Sequence, residues 1–322
     1  MRDHAHPHEA QARLSSPAGL KTYPLRARKS KVDVRKFGRP VKPRDTIRQF
    51  FGSLPDFLVA SDFRDFLRLM QTARKKGRSI HFAFGAHVIK VGLGPVLIDL
   101  MKEGWISALS TNGAGIIHDF EIAYCGLTSE EVKDEIRSGR FGMARETGLL
   151  LNQAINAGAA EGLGLGDAVG RMIAESRFPH RRLSVLGSAA RLCIPVTVHV
   201  AVGTDIIHFH PSASGEAIGQ TSLRDFFVFC QSLEKMNGGG VFINAGSAVI
   251  LPEVFLKAVS FVRNKGLKLD DFSTAVFDFT RHYRPEQNVV RRPLGRKGRG
   301  FYFVGPHEIM IPLLAAGLKT LA

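Results

Sequence analysis

The stretch "ALSTNGAGIIHDFE", residues 108–121, begins like a buried strand and ends like a helix. The turn between them, Asn112-Gly113-Ala114-Gly115, consists of small residues, so its backbone can approach a ligand closely. A helix that starts directly after a strand aims free N–H groups at this point, and such groups bind phosphate. The stretch therefore predicts a strand–turn–helix unit with a candidate dinucleotide site. Its glycine spacing differs from G-x-G-x-x-G, and a tight turn that binds nothing is the alternative.

Strand and helix patterns alternate along the chain from Asp45 onward. Short runs rich in β-branched and aromatic residues predict strands at 79–84, 105–110, 194–200, 239–244, 274–279 and 300–304. Amphipathic stretches predict helices at 61–76, 95–103, 128–137, 141–158, 222–236, 251–264 and 307–320, with a capping box formed by Thr128 and Glu131. The alternation predicts an α/β fold with a Rossmann-like, mostly parallel sheet and helices on both faces. Ligands of such sheets bind beyond the carboxyl ends of the strands.

The formal net charge of +15 lies in two segments of the 322-residue chain. Residues 1–44 carry 12 Lys and Arg against 3 Asp and Glu, residues 281–299 carry 7 against 1, and the remainder is neutral. The first segment lacks apolar periodicity and is predicted to be a disordered basic arm, which leaves 45–322 as a single domain. No apolar run indicates a membrane span or a secretory signal, and the three cysteines match no paired spacing. We expect a cytoplasmic protein.

Two further segments carry candidate binding residues. Gly238, Gly239 and Gly240 form a triple-glycine segment, and three glycines go beyond what a helix end requires, which favours backbone pressed against a ligand. Asp205 follows a Gly-Thr after a predicted strand, so its carboxylate can bind a cationic substrate or a ribose hydroxyl, or cap a helix. The nearby histidines lack a further ligand at metal-binding spacing, so we predict no metal site.

The order and spacing of these blocks, together with "GPHEIMIPLLAA" at 305–316, resemble the deoxyhypusine synthase family, in its bacterial branch, over roughly residues 75–320. The resemblance implies a Rossmann-like NAD-binding domain and a homotetramer with active sites at the subunit interfaces. It also implies a reaction in which NAD oxidises spermidine and a lysine captures the butylamine fragment as an imine. That fragment then passes to an amine acceptor, such as a lysine of a translation factor.

Carried over by position, the resemblance assigns roles to individual residues. It assigns cofactor binding to Thr111, Asn112, Gly113, Ala114, Gly115, Gly238, Gly239, Gly240 and Thr280. It assigns Asp205 to the substrate ammonium. We predict His118 as the proton carrier, because an unperturbed imidazole titrates near pH ~6.5. Lys297, in "GRKGRG", lies near the position of the family's imine-forming lysine and is the candidate for that role.

Several positions depart from the family pattern. Ala86 and Lys90 replace serines that contact the cofactor, Asn244 replaces a histidine, and the Ser-Trp-Gly-Lys segment around the lysine is missing. Arg281 and Arg284 stand where carboxylates that receive the polyamine are expected. A like charge about 4 Å from a cation costs on the order of 1 to 4 kcal/mol, so these arginines argue against a polycation as substrate.

Two classes of function therefore stay open. The first is an NAD-dependent transferase that moves an aminoalkyl group from a polyamine-like donor to an amine acceptor, using Lys297, His118 and Asp205. The second is a non-catalytic or regulatory NAD-binding homologue, or an enzyme with an anionic substrate. We expect no membrane partner. Nucleic acid binding through the two basic segments is disfavoured, because they lack interleaved aromatic residues.

Overall fold

The structure, a computed structural model, describes residues 16–321. Within 16–44 it has two exposed 3-10 turns, Leu25–Ala27 and Val34–Lys36. Backbone hydrogen bonds from Arg39 to Ser53 (2.8 Å) and from Asp56 to Lys36 (2.9 Å) connect this segment to the residues that follow. The disorder of the arm and its boundary at residue 44 stay predictions, and residues 1–15 of the arm lie outside the described residues. No helix within 16–321 is both long and apolar enough to cross a membrane.

Six parallel strands form one sheet, and the predicted Rossmann-like fold class is confirmed. The strands are β1 Ile80–Phe84, β2 Ala108–Asn112, β3 Val196–His199, β4 Gly240–Ala245, β5 Phe272–Asp278 and β6 Gly300–Val304. Their order across the sheet is β3-β2-β1-β4-β5-β6, that of a doubly wound sheet. The register pairs Ala83 of β1 with Ser110 of β2 and with Asn244 of β4.

Helices connect the strands and cover both faces of the sheet. They are α1 Ile47–Ser53, α2 Leu58–Lys75, α3 Ala86–Lys90, α4 Gly94–Lys102, α5 Gly113–Cys125, α6 Val132–Glu135, α7 Arg145–Ala160, α8 Leu165–Glu175, α9 Val185–Arg191, α10 Gly215–Glu234, α11 Ile250–Asn264 and α12 His307–Leu321. The connections also contain 3-10 turns at Ile136–Ser138 and Ile206–Phe209, and a helical turn at Tyr283–Pro285 that continues as a π-helix over Glu286–Arg291.

Two apolar clusters hold the layers together. The larger one packs α2, α5 and α12 against strand residues that include Phe82 and Phe303, and the smaller one packs α10 and α11 against residues such as Phe242. In the smaller cluster the rings of Phe242 and Phe255 stack with centroids 3.8 Å apart. Because β3, β2 and β1 are neighbours, the loops that leave their carboxyl ends lie side by side, and these loops carry Asp205, the start of α5 and α3.

Candidate functional site

A cleft of about 560 Å³ opens beside α5, and we call it the α5 cleft. Residues from α5, from 127–147, and from the loop after β3 line it, together with Lys90 at the end of α3. Its polar lining residues include Lys90, His118, Glu121, Thr128, Glu130, Glu146, Thr147, Thr204 and Asp205. The structure therefore brings together two of the three predicted catalytic residues, His118 and Asp205.

A chain of hydrogen bonds fixes the orientation of the His118 ring. The hydroxyls of Thr128 and Thr147 donate to the two oxygens of the Glu121 carboxylate, at 2.6 and 3.0 Å. Because Thr128 uses its one hydrogen for Glu121, its oxygen accepts a hydrogen bond from the Nδ1–H of His118, at 2.6 Å. The imidazole is thereby held as the Nδ1–H tautomer, and its Nε2 remains a hydrogen-bond acceptor.

The environment of His118 keeps its imidazole neutral. Burial lowers the pKa of His118 to about 4, and the positive charge of Lys90 adds to this effect. At neutral pH the ring is therefore uncharged: its single proton is on Nδ1, and Nε2 accepts hydrogen bonds. The prediction of His118 as a proton carrier took the ring to titrate near pH ~6.5, as it does in water. Burial makes Nε2 a weaker base than that, and the role of His118 in proton transfer stays a prediction.

The carboxylate of Asp205 lies over the first turn of α5. A Cβ added to Gly113 would clash with its Oδ2, and the backbone of Ala114 lowers its pKa. The side chain of Asn112 accepts from the N–H of Gly115 at 2.9 Å. The side chains of Asp205 and Asn112 therefore occupy the helix start, where a phosphate would otherwise lie. Burial raises the pKa of Asp205, although the charge of a nearby histidine and the Ala114 backbone act in the opposite direction.

At the crevice between β1 and β4, where the strand order reverses, the backbone of Gly85 lies against that of Gly246 and the His307 ring packs on Gly246. A Cβ added to Gly85 would clash with the carbonyl of Gly246, and one added to Gly246 would lie 2.8 Å from Cε1 of His307. Doubly wound sheets bind dinucleotides in this crevice. With Asp205 over α5 as well, the residues present do not fit the diphosphate of NAD at the predicted turn, which comprises Thr111, Asn112, Gly113, Ala114 and Gly115.

The triple-glycine segment, 238–240, lies at the amino edge of the sheet. It leads into β4, whose first residue is Gly240, whereas Gly113 follows β2, and the strands are parallel. The first two of its N–H groups donate to the carbonyl of Asp271, at 2.9 and 2.7 Å, and a Cβ on Gly240 would lie 2.5 Å from Cα of Met236. A tight turn between α10 and β4 accounts for these glycines. The predicted cofactor site spanning both glycine turns is therefore not formed.

Gly239 offers a test of this structural role. Its φ of 110° is strained for any residue with a side chain, so Gly239→Ala is expected to lower the free energy of unfolding by about 1–3 kcal/mol. Urea denaturation measures this loss. Gly219→Ala is the matched control: Gly219 lies in α10 with open space around it, and alanine there is expected to stabilise by up to about 1 kcal/mol. Equal effects at both positions would contradict the assignment.

Lys297 and Thr280 lie apart from the α5 cleft. Lys297 precedes β6, and the neighbouring Gly298 packs against the carbonyl of Phe272 at the start of β5, so this loop is at the amino edge. Thr280 follows β5, which β1 and β4 separate from β2, and its carbonyl accepts from the Tyr302 hydroxyl at 2.9 Å. The structure therefore does not bring either residue to His118 and Asp205.

Arg281 and Arg284 also lie outside the cleft. Arg281 pairs with Glu286 at 2.9 Å, and its guanidinium stacks over the ring of Tyr302 at 4.7 Å. Arg284 pairs with Glu253 at 3.2 Å. Both arginines have ion-pair partners outside the α5 cleft and neither lines it, so they are no argument against a cationic ligand there.

Carboxylates outnumber cations in the α5 cleft. Within the described chain, Glu121, Glu130 and Asp205 line it without a Lys or Arg ion-pair partner, and Glu146 pairs with Arg145 at 2.6 Å. Lys90 is the one lysine or arginine among the lining residues. The cleft is thus locally acidic in a chain whose net charge is +15. This arrangement attracts cations.

The sequence patterns missed Glu121 and Thr128 as site residues. Thr128 is predicted as the first member of a capping box, but α6 begins at Val132 and the Glu131 side chain caps it by accepting from Lys133 at 3.4 Å. That prediction is wrong because the Thr128 hydroxyl is used by His118 and Glu121. For Glu121 the sequence does contain a signal: it lies three residues after His118, and this spacing places both side chains on one face of α5. Among residues 16–321, no group of three or more His, Cys, Asp and Glu side chains is arranged to hold a metal ion.

Comparisons with known proteins show a likeness of fold. No family model and no curated sequence matches the chain. ArgZ, an arginine dihydrolase from the ornithine–ammonia cycle in cyanobacteria, matches 83% of this chain and 34% of its own, with a TM-score of 0.51 and 17% identity. AgrE in a ternary complex with ornithine and NAD+ matches 81% and 33%, with a TM-score of 0.50 and 14% identity. A protein from Entamoeba histolytica assigned as a deoxyhypusine synthase matches 88% and 96%, with a TM-score of 0.51 and 12% identity.

These solved structures support the resemblance at the level of the deoxyhypusine synthase-like fold. The chain spans about a third of the length of ArgZ and AgrE. The NAD+ and the ornithine belong to AgrE, and the dihydrolase activity belongs to ArgZ. At these identities the likeness carries the fold and no activity.

Proposed function

We propose that this chain is an amine-binding enzyme of the deoxyhypusine synthase-like fold, and that its α5 cleft binds a small molecule with more than one ammonium group. The observation that carries the proposal is the acidic lining of that cleft in an otherwise basic chain. Three carboxylates without Lys or Arg partners suit a ligand with several positive charges, because ammonium groups donate charge-assisted hydrogen bonds to carboxylates.

Each polar residue has a distinct part in this proposal. Asp205 and Glu121 accept hydrogen bonds from ligand ammonium groups. A bound cation favours the ionised form of Asp205 and so opposes the effect of burial, which raises the pKa of this carboxyl. The neutral His118 offers Nε2 as a further acceptor for an ammonium N–H. Its orientation is already set by Thr128, so binding requires no reordering of the ring.

Lys90 distinguishes two kinds of amine. A polyamine such as the spermidine implied by the resemblance presents positive charges alone, and Lys90 repels it. A basic amino acid also carries a carboxylate that pairs with Lys90, while its ammonium groups meet Asp205 and Glu121. Ornithine, the ligand in the AgrE complex, is an amine of this second kind. The charges of the cleft therefore favour a diamino acid over a polyamine.

NAD and the imine step form no part of the proposal. Asp205 covers the predicted turn, and Lys297 and the triple-glycine segment lie at the other edge of the sheet. The resemblance implies an aminoalkyl transfer, and the acidic lining of the α5 cleft supports one part of it, the binding of an amine. The transfer itself, the NAD dependence and the tetramer stay predictions.

Calorimetric titration of the full chain with ornithine, spermidine and NAD+ tests the proposal. We expect ornithine to bind, and Glu121→Gln and Asp205→Asn each to weaken it about tenfold or more, because each removes a charged hydrogen-bond partner. Lys90→Met is expected to weaken ornithine and to spare or strengthen spermidine.

Glu146→Gln is the matched control for these variants. It removes a lining carboxylate that is already paired with Arg145, so its effect on ornithine binding is expected to stay within about twofold. Circular dichroism checks that every variant folds. Absence of binding of both ornithine and spermidine, with or without binding of NAD+, would overturn the proposal.

A further inference from the structure

A second cleft lies at the amino edge of the sheet, opposite the edge that carries the α5 cleft. It measures about 550 Å³, and its lining includes Arg74, Arg78, Gln231 and Lys235. We call it the amino-edge cleft. It lies where β1 and β2 begin, because Ser79 and Ala108 also line it. No residue of the proposed amine site takes part in it.

Three cationic side chains line the amino-edge cleft and no carboxylate does. Within residues 16–321, Arg78 and Lys235 form no salt bridge. The guanidinium of Arg74 lies 4.2 Å above the Trp105 ring, and its Nη2 donates to the main-chain oxygen of Glu103 at 2.6 Å. These contacts hold Arg74 in place without neutralising its charge. The cleft therefore concentrates positive potential in a confined space.

Two of the three cations have a structural role at helix ends, but the third does not. Arg74 and Lys235 stand at the carboxyl ends of α2 and α10, where cations offset the helix dipole. Arg78 lies beyond the end of α2 and packs against Gly238, so that a Cβ there would lie 3.0 Å from the guanidinium carbon. The bare backbone of the triple-glycine segment thus makes room for a cation that no helix end requires.

We propose that the amino-edge cleft binds a small, multiply charged phosphate compound. Guanidinium groups donate paired N–H bonds to phosphate oxygens, and lysine adds a point charge, so Arg74, Arg78 and Lys235 suit this ligand class. The lining contains no aromatic side chain on which a base could stack, which favours a compact phosphate over a nucleic acid strand.

Titration with inorganic pyrophosphate at constant ionic strength tests the proposal. We expect the wild-type chain to bind it, and Arg78→Glu combined with Lys235→Glu to weaken binding at least tenfold. The neutral pair Arg78→Gln and Lys235→Met is expected to cause a smaller loss, and it serves if the charge-reversed chain does not fold.

The control variant combines Arg296→Glu with Lys297→Glu. It makes the same change of charge in the loop before β6, outside both clefts, and its affinity is expected to stay within about threefold of wild type. Absence of binding to the wild-type chain would overturn the proposal, and so would an equal loss in the control, which would indicate general attraction to a basic protein. Ornithine binding, measured on the same variants, reports the amine site separately.

Discussion

Asp225→Ala is expected to lower the free energy of unfolding by about 3 kcal/mol or more. The buried carboxylate of Asp225, on α10, accepts hydrogen bonds from the N–H groups of Gly166 at 2.9 Å and Val198 at 2.7 Å. The backbone of Leu165 also favours the ionised form of this carboxyl. Asp225 thereby joins the start of α8 to the outer edge of β3. Alanine leaves these buried donors without a partner, at a cost of about 1–3 kcal/mol each.

Urea denaturation at pH 5 measures this loss as a shift of the midpoint at constant slope. Burial raises the pKa of Asp225 to about 7, so the folded carboxyl is mostly protonated at pH 5, and the loss is expected to be smaller at pH 8, where burial penalises the ionised form. The matched control is Asp167→Ala, which removes a half-exposed carboxylate paired with Arg171 at 2.7 Å and is expected to cost under about 1 kcal/mol. A loss at Asp225 no larger than that of the control would contradict the role assigned to it.

Local patterns were sufficient to predict the sheet. Runs such as "IHFAF" and "TAVFD" are buried on both faces, as in parallel sheets, so their hydrophobicity is nearly continuous and easy to recognise. The helix patterns miss α8, because Gly166 and Gly170 interrupt its apolar face. Gly166 is needed there, since a Cβ would clash with the carbonyl of Val196 on β3. That requirement comes from tertiary packing, which periodicity does not contain.

The order of glycine and strand along the chain explains which site predictions failed. Gly113 and Asp205 follow β2 and β3, so they lie at the carboxyl edge, where the structure has its acidic cleft. The triple-glycine segment and Lys297 precede β4 and β6, which places them at the amino edge of a parallel sheet. The residue types alone suggested that the residues at both edges belong to one binding site. Their position before or after a strand, which is readable from the sequence, separates them.

A chain of hydrogen bonds also crosses β1, β2 and β3 inside the layer beneath α10. Ser232 donates to a main-chain oxygen one turn earlier, so it accepts from Nδ1–H of His81, at 2.8 Å. Nε2 of His81 then accepts from the hydroxyl of Ser110 at 2.7 Å. Ser110 in turn accepts from Thr197 at 2.6 Å, and Thr197 accepts from Nε2–H of His199 at 3.0 Å. In this arrangement Nε2 of His81 is an acceptor, so the network requires a neutral His81 ring.

His81→Gln is expected to destabilise the protein by about 2–4 kcal/mol at pH 7, and by about 2 kcal/mol less at pH 5. At both values the substitution disturbs the buried bonds to Ser110 and Ser232. The difference arises because burial, aided by His199, lowers the pKa of His81 to about 3, whereas an unfolded histidine titrates near ~6.5.

The sign of the pH effect follows from which state binds the proton. Below about pH 6.5 the unfolded wild-type chain protonates His81 and the folded chain does not, so wild type loses stability as the pH falls towards 3. Glutamine has no such proton to bind, and groups common to both chains cancel in the comparison. Ser232→Ala, which breaks the same network without removing a titrating ring, is expected to cost the same at both pH values. Denaturation of the three chains at pH 7 and pH 5 tests this prediction. A cost of His81→Gln that does not change with pH would contradict it, because it would mean that the buried ring has the same pKa as an unfolded histidine.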